Sequence, residues 1–247
     1  MRIGIIGAGN WGTTLAIHLE REGRAPILYE YFPERVKRLF MDRENKEFLP
    51  GYPIAEDILI TNEPKELVDS SDVIFFVQPS HTLKDLASLF SNYITDEIVV
   101  SFTKGIDPET LGRMSEILEG KLSGQKDKIV AVSGPSIARE VVRGIPTTLV
   151  AASRDAGRAE IVQGLLSDEI IRVYTNEDIV GVELGGALKN IYAIAAGICD
   201  GMELGMNAKS ALITRSIAEL SRLGIKMGGE REKSTARDKY HVSSRDG

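Results

Sequence analysis

The sequence predicts an α/β protein in which a doubly wound, mainly parallel sheet is followed by a partial, all-helical second domain. Three observations predict it. A short apolar run at residues 2–6 passes straight into Gly7-Ala8-Gly9-Asn10-Trp11-Gly12 and then into a helical stretch at 13–19. Short β-rich apolar runs alternate with helical or loop segments over the first two thirds of the chain, the pattern of a parallel sheet covered on both faces. From about Asp178 the periodicity becomes helical and strands cease.

Each element follows from its residues. The first strand is apolar almost throughout, as a strand buried on both faces must be. The glycines after it have separable tasks. Gly7 permits the tight strand-to-helix turn, Gly9 lets backbone N–H groups approach a pyrophosphate, and Gly12 lets the helix pack close to the strand, with the helix N-terminus facing the phosphates. Strand, turn and helix together make a Rossmann-type dinucleotide site; a glycine-rich turn without a ligand is the alternative. Further strands are expected at 26–29, 73–77, 97–101, 129–133, 147–151 and 171–174. The segment from Asn45 to Pro53 is too rich in Pro and Gly for a regular element and is expected to be a loop. Helices are expected at 178–200 and 207–223, the second with Asn207 as N-cap. Residues 1–177 are thus expected to form the dinucleotide-binding domain and 178–228 an incomplete helical substrate domain. The hydrophilic tail at 229–247 has too few apolar residues to bury itself and is expected to be disordered.

A formal net charge of -6 leaves no basic footprint for nucleic acid or an anionic membrane. Cys199 is the single cysteine, so no disulfide framework or cysteine-based metal site is expected, and a reducing compartment is. It reads most simply as a small buried hydrophobe. No signal sequence precedes the first strand and no apolar run reaches membrane length, so the expected location is cytoplasmic, without membrane insertion.

The residues able to do chemistry cluster at expected strand ends. Glu30, at the end of the second strand, stands where a carboxylate accepts from a ribose 2′-hydroxyl and repels a 2′-phosphate, which favours NAD over NADP. Arg35 and Lys37 can receive a phosphate if Glu30 points away. Gln78-Pro79-Ser80 and Thr103-Lys104-Gly105 end two further strands and face the same crevice in a doubly wound sheet. Lys104 there can set an ammonium near a phosphate or carbonyl, with a solvated turn lysine as the alternative. His81 is more simply a loop histidine than a proton carrier. Ser133-Gly134-Pro135-Ser136 combines close backbone approach with a fresh helix start, suited to an anion or to an ordinary cap. On the long helix, Val182, Gly185, Gly186, Lys189, Ala193 and Ala196 share one face. Two glycines beside a lone lysine imply that another body comes close. Either the helix packs against a neighbour while Lys189 snorkels, or its ammonium is aimed at a substrate carbonyl.

Taken together, Gly7 to Thr13, Asn45 to Pro50, Thr103-Lys104-Gly105, Ser133 to Ser136, Glu183-Leu184-Gly185-Gly186-Ala187-Leu188-Lys189-Asn190 and Asn207 to Arg215 closely resemble bacterial NAD(P)-dependent glycerol-3-phosphate dehydrogenase, in order and spacing, up to about residue 228. The resemblance implies reversible hydride transfer between NAD or NADP and dihydroxyacetone phosphate, yielding sn-glycerol 3-phosphate for glycerophospholipid synthesis. It implies that Asn10, Trp11 and Tyr31 line the dinucleotide, that Lys104 touches cofactor and substrate, and that Gly134 and Ser136 hold the substrate while Ala138 meets the cofactor. Lys189 would be the catalytic proton donor or acceptor, and the family implies a homodimer. The pattern departs after Gly229, where the Gly-Asp-Leu and Ser-Arg-Asn segments of the family are replaced by the hydrophilic tail. That tail resembles the product of a frameshift, with weakened phosphate binding and loss of the dimer interface as its expected consequences. Two alternatives stand beside the resemblance: a ketopantoate reductase-like β-hydroxyacid dehydrogenase, and an inactive nucleotide-binding module.

Overall fold

A computed structural model describes residues 1–230; the tail expected to be disordered lies outside the described residues from 231 on. The strands are β1 (Ile3–Ile6), β2 (Ile27–Tyr29), β3 (Leu59–Thr61), β4 (Val73–Phe76), β5 (Ile98–Ser101), β6 (Val130–Ser133), β7 (Thr147–Ala152) and β8 (Ile171–Asn176). They form one sheet in the order 3-2-1-4-5-6-7-8. The helices are α1 (Asn10–Arg21), α2 (Pro33–Asp42), α3 (Pro64–Asp69), α4 (Ser80–Phe90), α5 (Met114–Lys121), α6 (Ala138–Val141), α7 (Ala156–Leu166), α8 (Ile179–Gly201) and α9 (Gly205–Lys226).

All adjacent strands pair in parallel except β6 and β7, which run antiparallel in the register Val132↔Ala151. The chain order reverses at β1, which lies between β2 and β4. That switch point opens a crevice beyond the carboxyl ends of β1 and β4, where ligands of doubly wound sheets bind. The strands' period of two then divides the apolar residues between two cores. Ile3, Ile5, Val73, Phe75 and Val100 pack on one face with Leu15 and Leu19 of α1. Ile6, Ile74, Phe76 and Val99 pack on the other with Leu83 and Phe90 of α4 and Leu118 of α5. Each large side chain so buried contributes about 1.5–3 kcal/mol. A third cluster, Ala131, Ala152, Ile179, Val180 and Leu184, seats the start of α8 on β6 and β7.

Seven strands fall within two residues of their expected bounds. β3 was not expected: it is a three-residue edge strand whose Leu59 is 57% exposed, so it lacks the continuous burial that marks β1, β2, β4 and β5. Asn207 is not a cap. The chain turns sharply at Glu203 and Gly205, both with positive φ, so α9 begins at Gly205 and Asn207 lies within it. Cys199 is half-buried rather than buried. The membrane-length expectation also needs correction. α8 is 23 residues long with a window of mean hydropathy 1.3, long and apolar enough by those measures to cross a bilayer. Glu183 and Lys189 interrupt its apolar run in the sequence, and Glu183 and Leu184 are buried against the α/β body.

Candidate active site

The glycine turn is shaped by contacts that a side chain would break. Gly7 has φ +112, and a Cβ there would lie 2.8 Å from the Val77 carbonyl oxygen. A Cβ on Gly12 would collide with the Gly7 carbonyl oxygen, so this glycine sets how closely α1 approaches the turn. Gly9 differs: a Cβ there would meet nothing within 4 Å. Its open side faces the crevice, and α1 starts without a side-chain cap or an acidic residue in its first turn, leaving N–H groups available to an anion. Asn45, buried in the 45–53 loop, braces the turn. Its Nδ2 donates to the Ala8 carbonyl at 2.8 Å and to Thr13 Oγ1 at 2.7 Å, and its Oδ1 accepts from Phe48 N at 3.2 Å.

Beyond this turn lies a cavity of about 1010 Å³ lined by Gly7, Gly9, Asn10, Trp11, Glu30, Tyr31, Phe32, Gln78 and Phe102, among others. Trp11 packs edge-on against Phe102, ring centroids 6.4 Å apart. Gln78 is buried in its wall with both polar side-chain atoms unpartnered. A buried amide without partners costs about 1–3 kcal/mol, which an incoming polar ligand relieves if the side chain rotates toward it. The open side of Gly9, the uncapped helix start and the Gln78 amide all fit a dinucleotide. Glu30 lines the same cavity, but the residue is only 6% exposed, its carboxylate accepts from Phe32 N at 3.1 Å, and burial raises its pKa above the usual carboxylate range. Gly12 lies beneath the turn rather than on the cavity wall. Ala138, at the start of α6, is buried and Lys104 lies outside this cavity.

Lys104 and Lys189 meet at the end of β6. Their Nζ atoms donate to one acceptor, the Gly134 carbonyl, at 3.1 Å and 3.2 Å. Ser136 Oγ donates to the same oxygen at 3.5 Å. Burial, and then the nearby Lys189 charge, pull the Lys104 pKa down to about 8. Lys189 is half-buried and held by a carbonyl rather than by a carboxylate. Of the two glycines expected to admit another body, only Gly186 is pressed upon: a Cβ there would collide with Ser133 Oγ and reach within 3.6 Å of Lys104 Cγ. Gly185 faces open space. His81 is exposed on α4. Among the described residues no cluster of His, Cys, Asp or Glu is arranged to hold a metal.

One further group fixes α8. Glu183 is buried and receives Arg113 Nη1 at 2.5 Å, Ser115 N at 2.8 Å and Ser115 Oγ at 2.6 Å. This clamp sets the rotation of the helix that carries Lys189. Glu183 lay within a motif of the resemblance without a role, and its partners some 70 residues away carry no signal in the sequence.

The chain matches the family profile described as NAD-dependent glycerol-3-phosphate dehydrogenase N-terminus over residues 2–159 and the corresponding C-terminus profile over residues 178–239. It belongs to the NAD-dependent glycerol-3-phosphate dehydrogenase family. The glycerol-3-phosphate dehydrogenase (NAD(P)+) of Koribacter versatilis is 45% identical over 234 residues, which are 94% of this chain and 69% of the relative. That of Bacillus subtilis is 44% identical over 230 residues, 92% of this chain and 67% of the relative. The crystal structure of glycerol-3-phosphate dehydrogenase from Coxiella burnetii superposes with a TM-score of 0.84 at 34% identity, covering 94% of this chain and 70% of that one. Membership of this dehydrogenase family decides against the ketopantoate reductase-like alternative.

Proposed function

We propose that the chain reduces dihydroxyacetone phosphate to sn-glycerol 3-phosphate, reversibly, with NAD(H) or NADP(H), and so supplies glycerophospholipid synthesis in the cytoplasm. The observation that carries it is the convergence of Lys104 and Lys189 on Gly134 beside the dinucleotide crevice. Gly7, Gly9, Asn10, Trp11, Glu30 and Tyr31 would hold the cofactor in the cavity they line, with Gly12 setting the turn beneath it. When bound, the nicotinamide supplies or accepts the hydride.

The rest of the chemistry belongs to the chain. As a ketone carbon gains hydride, negative charge grows on its oxygen, and an ammonium aimed at that oxygen stabilises the charge. Lys189 then transfers its proton to the oxygen, giving the alcohol and a neutral amine that solvent reprotonates. Lys104, Gly134 and Ser136 would bind the phosphorylated substrate, and the crowding of two ammonium groups around one carbonyl supports an anionic ligand there. We assign residues 1–177 to dinucleotide binding and 178–228 to the substrate side, with Ala138 at the junction near the cofactor.

NADH oxidation with dihydroxyacetone phosphate tests this, alongside calorimetric titration with NADH. Lys189→Ala is expected to lower turnover by about 10²–10⁴-fold with cofactor affinity kept. Equal loss of both would assign Lys189 a structural role, and NADH binding without turnover in the unaltered chain would favour the inactive module.

A further inference from the structure

α2, which follows the carboxyl end of β2, holds two arginines that are already occupied. Arg35 Nη2 donates to Glu47 Oε1 at 2.7 Å, and Arg38 Nη2 donates to the other oxygen of that carboxylate at 3.4 Å. Arg35 Nη1 also lies 3.9 Å from Glu30 Oε1. The Arg35 guanidinium sits 5.1 Å from the Phe32 ring centroid and 5.0 Å from that of Phe48. Glu47 and Phe48 come from the loop that Asn45 ties to the glycine turn, so the loop delivers a carboxylate and an aromatic face to this corner together. Lys46, next along, is paired with Asp42 at 3.0 Å.

This corner adjoins Glu30 on the wall of the dinucleotide cavity, where the adenosine ribose of a bound cofactor is read. A free arginine there would take a 2′-phosphate through paired, charged hydrogen bonds. Here a phosphate dianion would have to displace Glu47 or lie beside it, with Glu30 close by. A 2′-hydroxyl carries no charge and meets no such opposition.

We propose that Glu47 sets cofactor choice: by bridging Arg35 and Arg38 it closes the adenosine corner to a 2′-phosphate and makes the chain select NAD(H) over NADP(H). The inference rests on the dehydrogenase function proposed above and concerns the same crevice. Glu47 is a positioning residue that acts through the arginines. Its side chain is 44% exposed and its two hydrogen-bonding partners are both arginines, so neutralising it removes the bridge and little else.

Calorimetric titration of the full chain with NADH and with NADPH tests the proposal, beside kcat/KM for each cofactor with dihydroxyacetone phosphate. The unaltered chain is expected to bind NADH at least about tenfold more tightly than NADPH, and Glu47→Gln to tighten NADPH about tenfold while changing NADH less than about twofold. Adding Arg35→Ala should abolish the gain. Equal or tighter NADPH binding by the unaltered chain overturns the inference, as does a Glu47→Gln variant with unchanged NADPH affinity or a gain that survives Arg35→Ala. Turnover without discrimination would refute this inference alone. Discrimination by calorimetry without turnover would support it while removing the dehydrogenase function.

Discussion

Two adjacent glycines on α8 are expected to respond to alanine in opposite ways. Replacing a helix-interior glycine by alanine gains about 0.5–1 kcal/mol by restricting the unfolded chain. At Gly185 an added Cβ meets no heavy atom within 4 Å, so Gly185→Ala should realise that whole gain. At Gly186 the new methyl overlaps Ser133 Oγ. Rotating the hydroxyl away leaves Ser133 Cβ at 3.4 Å and Lys104 Cγ at 3.6 Å, both ordinary contact distances, so the cost is set by how freely Ser133 can turn. Overpacking costs about 1–3 kcal/mol, so after the alanine gain Gly186→Ala should lie between roughly neutral and about 2.5 kcal/mol destabilising. For a chain of this size each kcal/mol moves Tm by about 2–4 °C. Turnover should fall further than stability. A Ser133 hydroxyl that keeps its place forces α8 back from β6, which moves Lys189 with it, and a displacement of about 1 Å can cost about 100-fold. Thermal unfolding of both variants, paired with NADH oxidation by dihydroxyacetone phosphate, makes the comparison. Equal midpoint shifts of the same sign, or full turnover in Gly186→Ala, would refute the close seating of α8 on the end of β6.

Asn45→Ala leaves the Ala8 carbonyl, Thr13 Oγ1 and Phe48 N without their partner and should destabilise by about 2–4 kcal/mol, read as a lower urea midpoint with unchanged m, with weaker NADH binding as the turn loosens. Gly9→Ala should fold stably yet bind NADH weakly, because its methyl meets only the cofactor, whereas Gly12→Ala should lose stability by collision with the Gly7 carbonyl; melting curves and calorimetric titration separate the two. The rate of ketone reduction should decline as pH rises through about 8, where Lys104 loses its charge, and the limb should shift or vanish in Lys104→Ala. Stability should change the other way. Between about 8 and the ordinary lysine value of 10.5 the unfolded chain holds a proton that the folded chain has released, so unfolding becomes harder as pH rises across that window. Urea midpoints flat with pH across it, or equally steep in Lys104→Ala, would contradict the assignment.

What was legible in the sequence divides by range. Buried parallel strands such as Val73–Phe76 announce themselves as continuous apolar runs, and glycines such as Gly7 report a backbone that other residues rarely adopt. β3 was silent because an exposed edge strand of three residues has neither burial nor alternation to display. Asn207 misled because a good capping residue stood two positions inside a helix whose start was decided by the turn at Glu203. Lys104, Gly134, Ser136 and Lys189 could each be named from local pattern. That the two lysines converge on the Gly134 carbonyl could not, since their meeting depends on strand order. Glu30 shows the same limit: its place at the end of β2 could be named from the sequence, while the hydrogen bond its carboxylate accepts from Phe32 N is set in the folded chain.

The antiparallel step from β6 to β7 has a consequence for the lysine on α8. Because β8 runs parallel to β7, its carboxyl end emerges on the far rim of the sheet, away from the crevice. α8 starts at that rim and must travel back across the sheet. From Ile179 to Lys189 is ten residue steps, about 15 Å of helix, against about 13 Å for the four steps from Val130 to Gly134 at the end of β6. The helix therefore serves as a ruler whose tenth graduation reaches the crevice rim at Gly134. One residue inserted between the docked start of α8 and Gly186 would advance the ammonium by about 1.5 Å and swing it through about 100°, so the count of residues in this stretch is as much a specification of the site as the identity of any one of them.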